Sequence, residues 1–248
     1  MKSPSVCLAL LAMAGLTAAQ PAQTLSAAAE FDRQGRTREA LAAYMQADRE
    51  DPNNPAILVK IAKQHGDLMT ETLDSEQRRC AADQSLAFAR RALLADPTSS
   101  DAHLSVAISL GKMVEFMGNR EKIEASREIK ISAEAALTLD PNSDYARHML
   151  GRWHQGLAGV GGTTRALAKI IYGGLPPASY AEALEHFGKA RALRPGRLIH
   201  QIEYGRTLAM MERLEEARSE LSKGLAMPNR DKDDAAAKQR GQEALSAL

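Results

Sequence analysis

Gly35, Ala40, Tyr44, Ala47 and Pro52 form a comb of small, aromatic and helix-stopping residues, and its offsets recur in weaker form along the rest of the chain. Proline ends a helix because its ring removes a backbone N–H and clashes with the turn before it, and the residue ahead of it is pushed out of the helical region. Pro52, Pro97, Pro141 and Pro195, with Pro228 about one residue out of register, therefore close five successive segments. An alanine precedes each of the first four by five residues, as Ala47, Ala92, Ala136 and Ala190. Three of these open near-copies of one phrase: Ala92-Leu-Leu-Ala-Asp-Pro97, Ala136-Leu-Thr-Leu-Asp-Pro141 and Ala190-Arg-Ala-Leu-Arg-Pro195. A helical hairpin used repeatedly satisfies the whole pattern. Small residues sit where two antiparallel helices touch, an aromatic fills the gap between them, and a proline stops the second helix.

The comb matches the tetratricopeptide type of repeat. The expected fold class is all-α: a right-handed α-α superhelix of about five helix pairs plus a C-terminal capping helix. Repeats are expected at 21–54, 55–99, 100–143, 144–197 and 198–230, followed by a polar-faced cap over 231–248 that shields the last repeat. An undecorated repeat has about 34 residues, whereas the prolines are spaced by 45, 44, 54 and 33. The surplus falls near 73–81, 116–122 and 156–177, where longer helices or loops should protrude. First helices are expected at 56–69, 102–116, 145–157 and 199–211, with Leu150-Gly151 and Tyr204-Gly205 at the points of closest helix contact.

Lys2, the apolar run from Val6 to Leu16 and the small residues Thr17-Ala18-Ala19 read as a cleavable signal peptide over 1–19. Eleven apolar residues are too few to span a bilayer, which takes roughly 20. The chain is therefore expected to be exported, periplasmic or secreted, with no transmembrane segment, and the context of Cys7 does not suit a lipid anchor. The full chain has 32 Lys and Arg against 31 Asp and Glu; loss of Lys2 leaves the two in balance, so no global attraction to nucleic acid is expected. Only Cys80 would survive processing, which rules out an intrachain disulfide. Aromatic residues make up 4% of the chain, a composition that suits close helix packing better than a large β-sandwich.

From about Asp101 onward the chain resembles the regulator of microtubule dynamics family, a tetratricopeptide-like group with bacterial and eukaryotic members. The matching stretches are Gly118-Asn-Arg-Glu-Lys-Ile with the helix that follows it, His148-Met-Leu-Gly-Arg-Trp153, Arg165-Ala-Leu-Ala-Lys-Ile, Pro176-Pro-Ala-Ser-Tyr-Ala-Glu-Ala-Leu184 and Tyr204-Gly-Arg. The segment from Gly156 to Thr164 departs from the family in being glycine-rich. What the resemblance implies is an interaction or scaffold protein that is not an enzyme. Its family-typical structural positions here are His148, Gly151, Trp153, Pro176, Pro177, Tyr180 and Ala183.

The residues offer little to catalysis or cofactors. Gly156 to Thr163 resembles a phosphate loop, but Gly162 stands where the required lysine should be and the segment follows a helix; a flexible insertion or hinge is the expected reading. The six histidines show no metal-ligand spacing, and His148 and His154 fall on different helix faces, so no metal or cofactor is expected. Cys80, beside Arg78 and Arg79, is read as an inert, partly buried thiol. Trp153 is read as a core filler wedged against the inserted segment, and Pro176-Pro177 as a rigid approach to a helix that Ser179 caps.

The inner face of such a superhelix is lined by first-helix positions, which gives a candidate ligand groove of Lys63, Leu104, Ile108, Lys112, Met113, His148, Arg152, Gln155, Ile202 and Arg206. It is an apolar surface with four cations. That chemistry suits a protein or peptide partner, above all an acidic segment; solvated lysines and arginines beside packing residues are the plainer alternative. A carrier for a lipid or other anionic amphiphile is the second functional reading, drawn from the same groove and from Ile170, Ile171, Tyr172 and Leu175.

Overall fold

The computed structural model describes residues 21–248, and the signal-peptide segment lies outside them. Among the described residues there are twelve α-helices and no strand. In chain order they are α1 (Pro21–Arg33), α2 (Thr37–Glu50), α3 (Pro55–Glu71), α4 (Ser75–Ala95), α5 (Ser100–Met113), α6 (Asn119–Leu139), α7 (Asp144–Ala158), α8 (Gly162–Tyr172), α9 (Tyr180–Leu193), α10 (Leu198–Met210), α11 (Leu214–Ala226) and α12 (Asp234–Ser246). Five hairpins pair α1 with α2, α3 with α4, α5 with α6, α7 with α9 and α10 with α11, and α12 covers the last of them. The first helices lie within two or three residues of their expected positions.

Local chemistry places the breaks. Asp96 and Asp140 each accept a hydrogen bond from the backbone N–H two residues on, that of Thr98 at 2.9 Å and Asn142 at 3.0 Å, which shapes the turn across the intervening proline. The next helix then opens on a capping side chain: Asn54 before α3, Ser99 before α5 and Ser143 before α7 accept from first-turn N–H groups. Ser179 caps α9 in the same way and its hydroxyl also meets Glu182 at 2.8 Å, as expected. The fourth break, Arg194-Pro195-Gly196-Arg197, has no such residue, and α10 begins without a side-chain cap.

The hairpins close on small residues for a steric reason. A Cβ on Gly151 would lie 2.7 Å from the Phe187 ring, and one on Gly205 would lie 2.9 Å from Leu221. Ala40, Tyr44 and Ala47 are all buried, as the comb requires.

The three surpluses are used differently. In the second and third repeats they lengthen the second helix, so that α4 and α6 have 21 residues against 14 in α2 and α9. In the fourth, the segment read as a flexible insertion contains an additional helix, α8. Glycines made that helix hard to foresee, yet they flank its run of apolar residues instead of interrupting it. The connection from α11 to α12 runs back to the first two repeats. There the Lys232 ammonium reaches Thr37 Oγ1 and, at 3.0 Å, Glu71 Oε1.

Candidate functional site: the inner face and the cavity beneath α8

The inner face is built by α3, α5, α7 and α10, which pack side by side. Its N-terminal half carries Lys63, whose Nζ lies 2.7 Å from Asp32 and 3.0 Å from Asp67. Burial pushes the Lys63 ammonium toward deprotonation, but Asp67 and Asp32 outweigh it and hold its pKa above the ordinary lysine value. Lys112 donates to the Gly66 carbonyl at 2.6 Å, and burial lowers its pKa. Lys232 adds a third ammonium, 3.6 Å from Asp67. Lys63, Asp67 and Lys112 edge a hollow of about 230 Å³ whose walls include Val59, Leu104, Ile108, Tyr145 and Asp233. Burial pushes the Tyr145 phenol up to about 12.

The C-terminal half is arranged otherwise. Glu203 on α10 is wholly buried and receives three arginines: Arg152 at 2.8 Å, Arg206 at 2.6 Å and Arg240 of α12 at 3.2 Å. Burial alone would raise its pKa; the three guanidinium groups reverse that and keep the carboxyl below its usual value. One carboxylate balances one cation, so the cluster carries two more positive charges than negative ones, and its arginines are only partly buried.

Four residues of the expected groove belong to the interior instead. His148 is buried against Phe187 and forms a polar chain in which His200 Nδ1 lies 3.0 Å from His148 Nδ1 and His200 Nε2 lies 2.8 Å from Asp144. Burial holds the His148 imidazole well below its ordinary pKa, so it is neutral. Gln155 turns inward to donate to Thr207 Oγ1 at 3.0 Å. Ile202 is fully buried against Gly224 and Gly241, the latter supplied by the cap helix. Met113 packs with Met69 and Ala82, away from the inner face. The corrections at His148, Gln155 and Ile202 share one cause: a first-helix position that faces the groove in an open array faces a neighbouring helix where the array is capped or bridged by side chains. Cys80 is also corrected, being exposed on α4 and not partly buried.

A second recess lies between α6, α7 and α8. It encloses about 510 Å³, and its walls are Ile123, Ile129, Trp153, Leu157, Val160 and Leu167, with Arg152 and Lys122 at its edge. Trp153 is core, as expected, with its indole N–H shared between the Ser126 carbonyl at 2.7 Å and hydroxyl at 3.0 Å, while one face of the ring is left to the recess. Arg152 thus borders both the inner face and this recess. Sequence reasoning missed Glu203, Arg240 and Lys232. The one local signal was Glu203 itself, an acid in the apolar stripe of α10 three residues before Arg206.

Stacked helical hairpins with small-residue contacts, a terminal cap and a charged inner face define a tetratricopeptide-like helical-repeat protein. The same fold is seen in TTC0263, a tetratricopeptide protein of Thermus thermophilus, at a TM-score of 0.66 and 15% identity over 92% of this chain and 100% of that one. MamA residues 41–end from Desulfovibrio magneticus RS-1 align at a TM-score of 0.52 and 15% identity over 83% and 93% of the two chains. The profile described as Regulator of microtubule dynamics protein 1-3 matches residues 22–248, and the chain belongs to that family. Regulator of microtubule dynamics protein 3 of Xenopus laevis is 29% identical over 56% of this chain and 30% of its own length. Protein 1 of Mus musculus is 29% identical over 56% and 46%, and protein 2 of Homo sapiens is 23% identical over 76% and 46%. The chain therefore spans less than half the length of these curated relatives.

Proposed function

We propose that this protein is a non-enzymatic, exported scaffold that holds an acidic segment of a protein partner on its inner face, at Arg152, Arg206 and Arg240. The observation that carries this reading is the convergence of three arginines on one buried carboxylate. The guanidinium groups are already oriented by Glu203, so little side-chain freedom is lost when a second carboxylate arrives, and planar bidentate pairing is open to them. Helical-repeat proteins present extended surfaces of this kind to peptides and helices. The role in the relatives' names, regulation of microtubule dynamics, belongs to proteins of which this chain spans less than half.

Titration with a set of acidic and charge-neutralised peptides tests the reading. Binding of acidic peptides should weaken with added salt, and Arg240→Gln should reduce affinity about tenfold and flatten the salt dependence. Equal affinity in the variant would remove the inner face from consideration.

A second reading is favoured by the recess beneath α8, whose apolar walls and flanking Arg152 suit the chain and head of an anionic amphiphile. Native mass spectrometry of the protein taken without detergent from its own compartment separates the two readings and tests export. A bare chain cut near Ala19, or one bound to a polypeptide, supports the scaffold; an adduct of several hundred daltons that proves to be lipid supports the carrier.

A further inference from the structure

α8 is amphipathic, and most of its apolar stripe is left in water. Ala168 is its only buried residue. Leu167, Ile170 and Ile171, which share a face with Ala166, are 56%, 82% and 55% exposed. One edge of this face, Leu167 and Ile171, also borders the recess, and on the other side of the helix Arg165 donates to the Leu157 carbonyl at 2.5 Å. Ordinary surface helices bury their apolar stripe and show water the polar one. Ile170, the most exposed of them, lines neither the inner-face hollow nor the recess.

Two further features surround this face. Glycines bracket the helix, with Gly159 and Gly161 ahead of it, Gly162 as its first residue and Gly173 and Gly174 behind it, the last two at φ 78° and 102°, which side chains rarely adopt. The chain around α8 carries cations alone, while the facing α6 carries Glu121, Glu124 and Glu128 among its own charges. No Asp or Glu occurs between Asp144 and Glu182. Lys169 on α8, and Lys122 and Arg127 on the adjoining α6, form no ion pair among the described residues. Arg127 instead reaches the Gly174 carbonyl at 3.4 Å, and Arg120, which lies beside Ile171 and Tyr172, is paired with Glu124 at 3.0 Å.

We propose that α8 is an interfacial helix that docks the protein onto the surface of an anionic lipid bilayer, with Leu167, Ile170 and Ile171 entering the acyl boundary and Lys169, Lys122 and Arg127 meeting the headgroups. The mode is peripheral, since no described helix is long and apolar enough to cross a membrane. A bilayer is favoured over a protein partner for two reasons. Three aliphatic side chains on an 11-residue helix offer far less than the roughly 800 Å² per partner of a specific protein interface, and they lack the aromatic anchors such interfaces use. A fluid bilayer needs no complementary shape, only an apolar face beside cations, and its affinity scales with both. The inference does not depend on what occupies the inner face; Leu167 and Ile171 also edge the recess, so the readout that separates bilayer docking from a guest in the recess is the one at Ile170, which lines neither.

The test is flotation of the full chain with vesicles of phosphatidylcholine alone and of phosphatidylcholine with about a third phosphatidylglycerol. Since the N-terminal apolar run can itself bind lipid, the comparison is between parent and variants. Ile170→Asp with Ile171→Asp should lower partitioning onto anionic vesicles at least tenfold, and Lys169→Glu should lower it several-fold and weaken its salt dependence. Both replaced isoleucines are exposed, so unchanged helicity is expected and is checked by circular dichroism. A fluorophore sensitive to polarity, attached at Ile170→Cys in a C7S/C80S background, should shift to the blue on anionic vesicles. Equal flotation of parent and double variant, or an unshifted fluorophore on bound protein, overturns the proposal. So does a parent that ignores both vesicles while the double variant loses a protein partner.

Discussion

The two halves of the inner face have similar numbers of cations and opposite electrostatics. In the N-terminal half, Lys63, Lys112 and Lys232 are interleaved with Asp32, Asp67, Glu71 and Asp233, so the ammonium groups are neutralised by neighbours on the same surface. In the C-terminal half, three arginines share Glu203. A count of cations along a groove therefore says little about the charge available to a ligand; what matters is how many carboxylates the fold brings against them. Arginine also behaves differently from lysine here, because two fork-shaped groups can flank one carboxylate and still present N–H donors outward.

The largest effect that would sharpen this contrast is expected from Glu203→Ala. It leaves three partly buried guanidinium groups facing one another and should lower stability by about 3–5 kcal/mol in urea titration. Asp67→Ala in the other half leaves Lys63 with Asp32 and Lys232 with Glu71, and should cost only about 1 kcal/mol. Equal losses would dissolve the distinction between the halves.

A steric pair comes next. Gly205→Ala places a methyl group 3.0 Å from the backbone nitrogen of Leu221, which cannot retreat, and should cost about 1–3 kcal/mol. Gly66→Ala meets only the end of the Lys112 side chain, at 3.0 Å, and should be nearly silent in thermal denaturation, because that side chain can swing away. A large loss from Gly66→Ala would mean that the Lys112 bond to the Gly66 carbonyl holds the N-terminal half together.

Acid should act mainly on the C-terminal half. Burial lowers the pKa of His148 well below 6.5, that of His186 to about 4, and that of His154 to a lesser degree; His65 is the one such group in the N-terminal half. The unfolded chain binds protons at these sites before the folded one does, so their contribution is complete above about pH 6.5 and is lost as pH falls toward the folded values. Asp144, whose pKa is lowered because its hydrogen bond to His200 and the Arg197 charge outweigh the opposing effect of burial, matters only in a window below about pH 4. Denaturation midpoints should fall between pH 7 and 5, and His186→Gln should reduce that fall. A midpoint independent of pH in that range would show that the histidines are hydrated.

A small effect is expected from Lys232→Ala, which removes a partly exposed tie between distant repeats and should cost about 1 kcal/mol or less, more of it at low salt than at high.

Much of the fold was legible in the sequence because its determinants are local. A proline, the Asp before it and a Ser or Asn after it specify the first three turns within six residues, and Gly151 and Gly205 mark helix contacts by their lack of a side chain. The site was less legible because its determinants are distant. Arg152 and Glu203 are 51 residues apart, and Lys232 meets Thr37 across 195. No periodicity reports such pairs. Position numbering within a repeat placed His148, Gln155 and Ile202 on the inner face, but that numbering presumes an open array, and the cap helix and the side-chain bonds between α7 and α10 bury those positions. α8 was hidden for another reason: glycines at both ends outweighed the apolar pattern between them.

The tie between Lys232 and the first two repeats changes what kind of object this is. A stack of repeats is ordinarily a strip with two loose ends, each of which can peel away without the other noticing. Here the ribbon is buckled, its tail fastened to its head by a single ammonium. The helices beyond the tie, α1 and α12, can still fray alone, but a large separation of the first two repeats from the last must undo it.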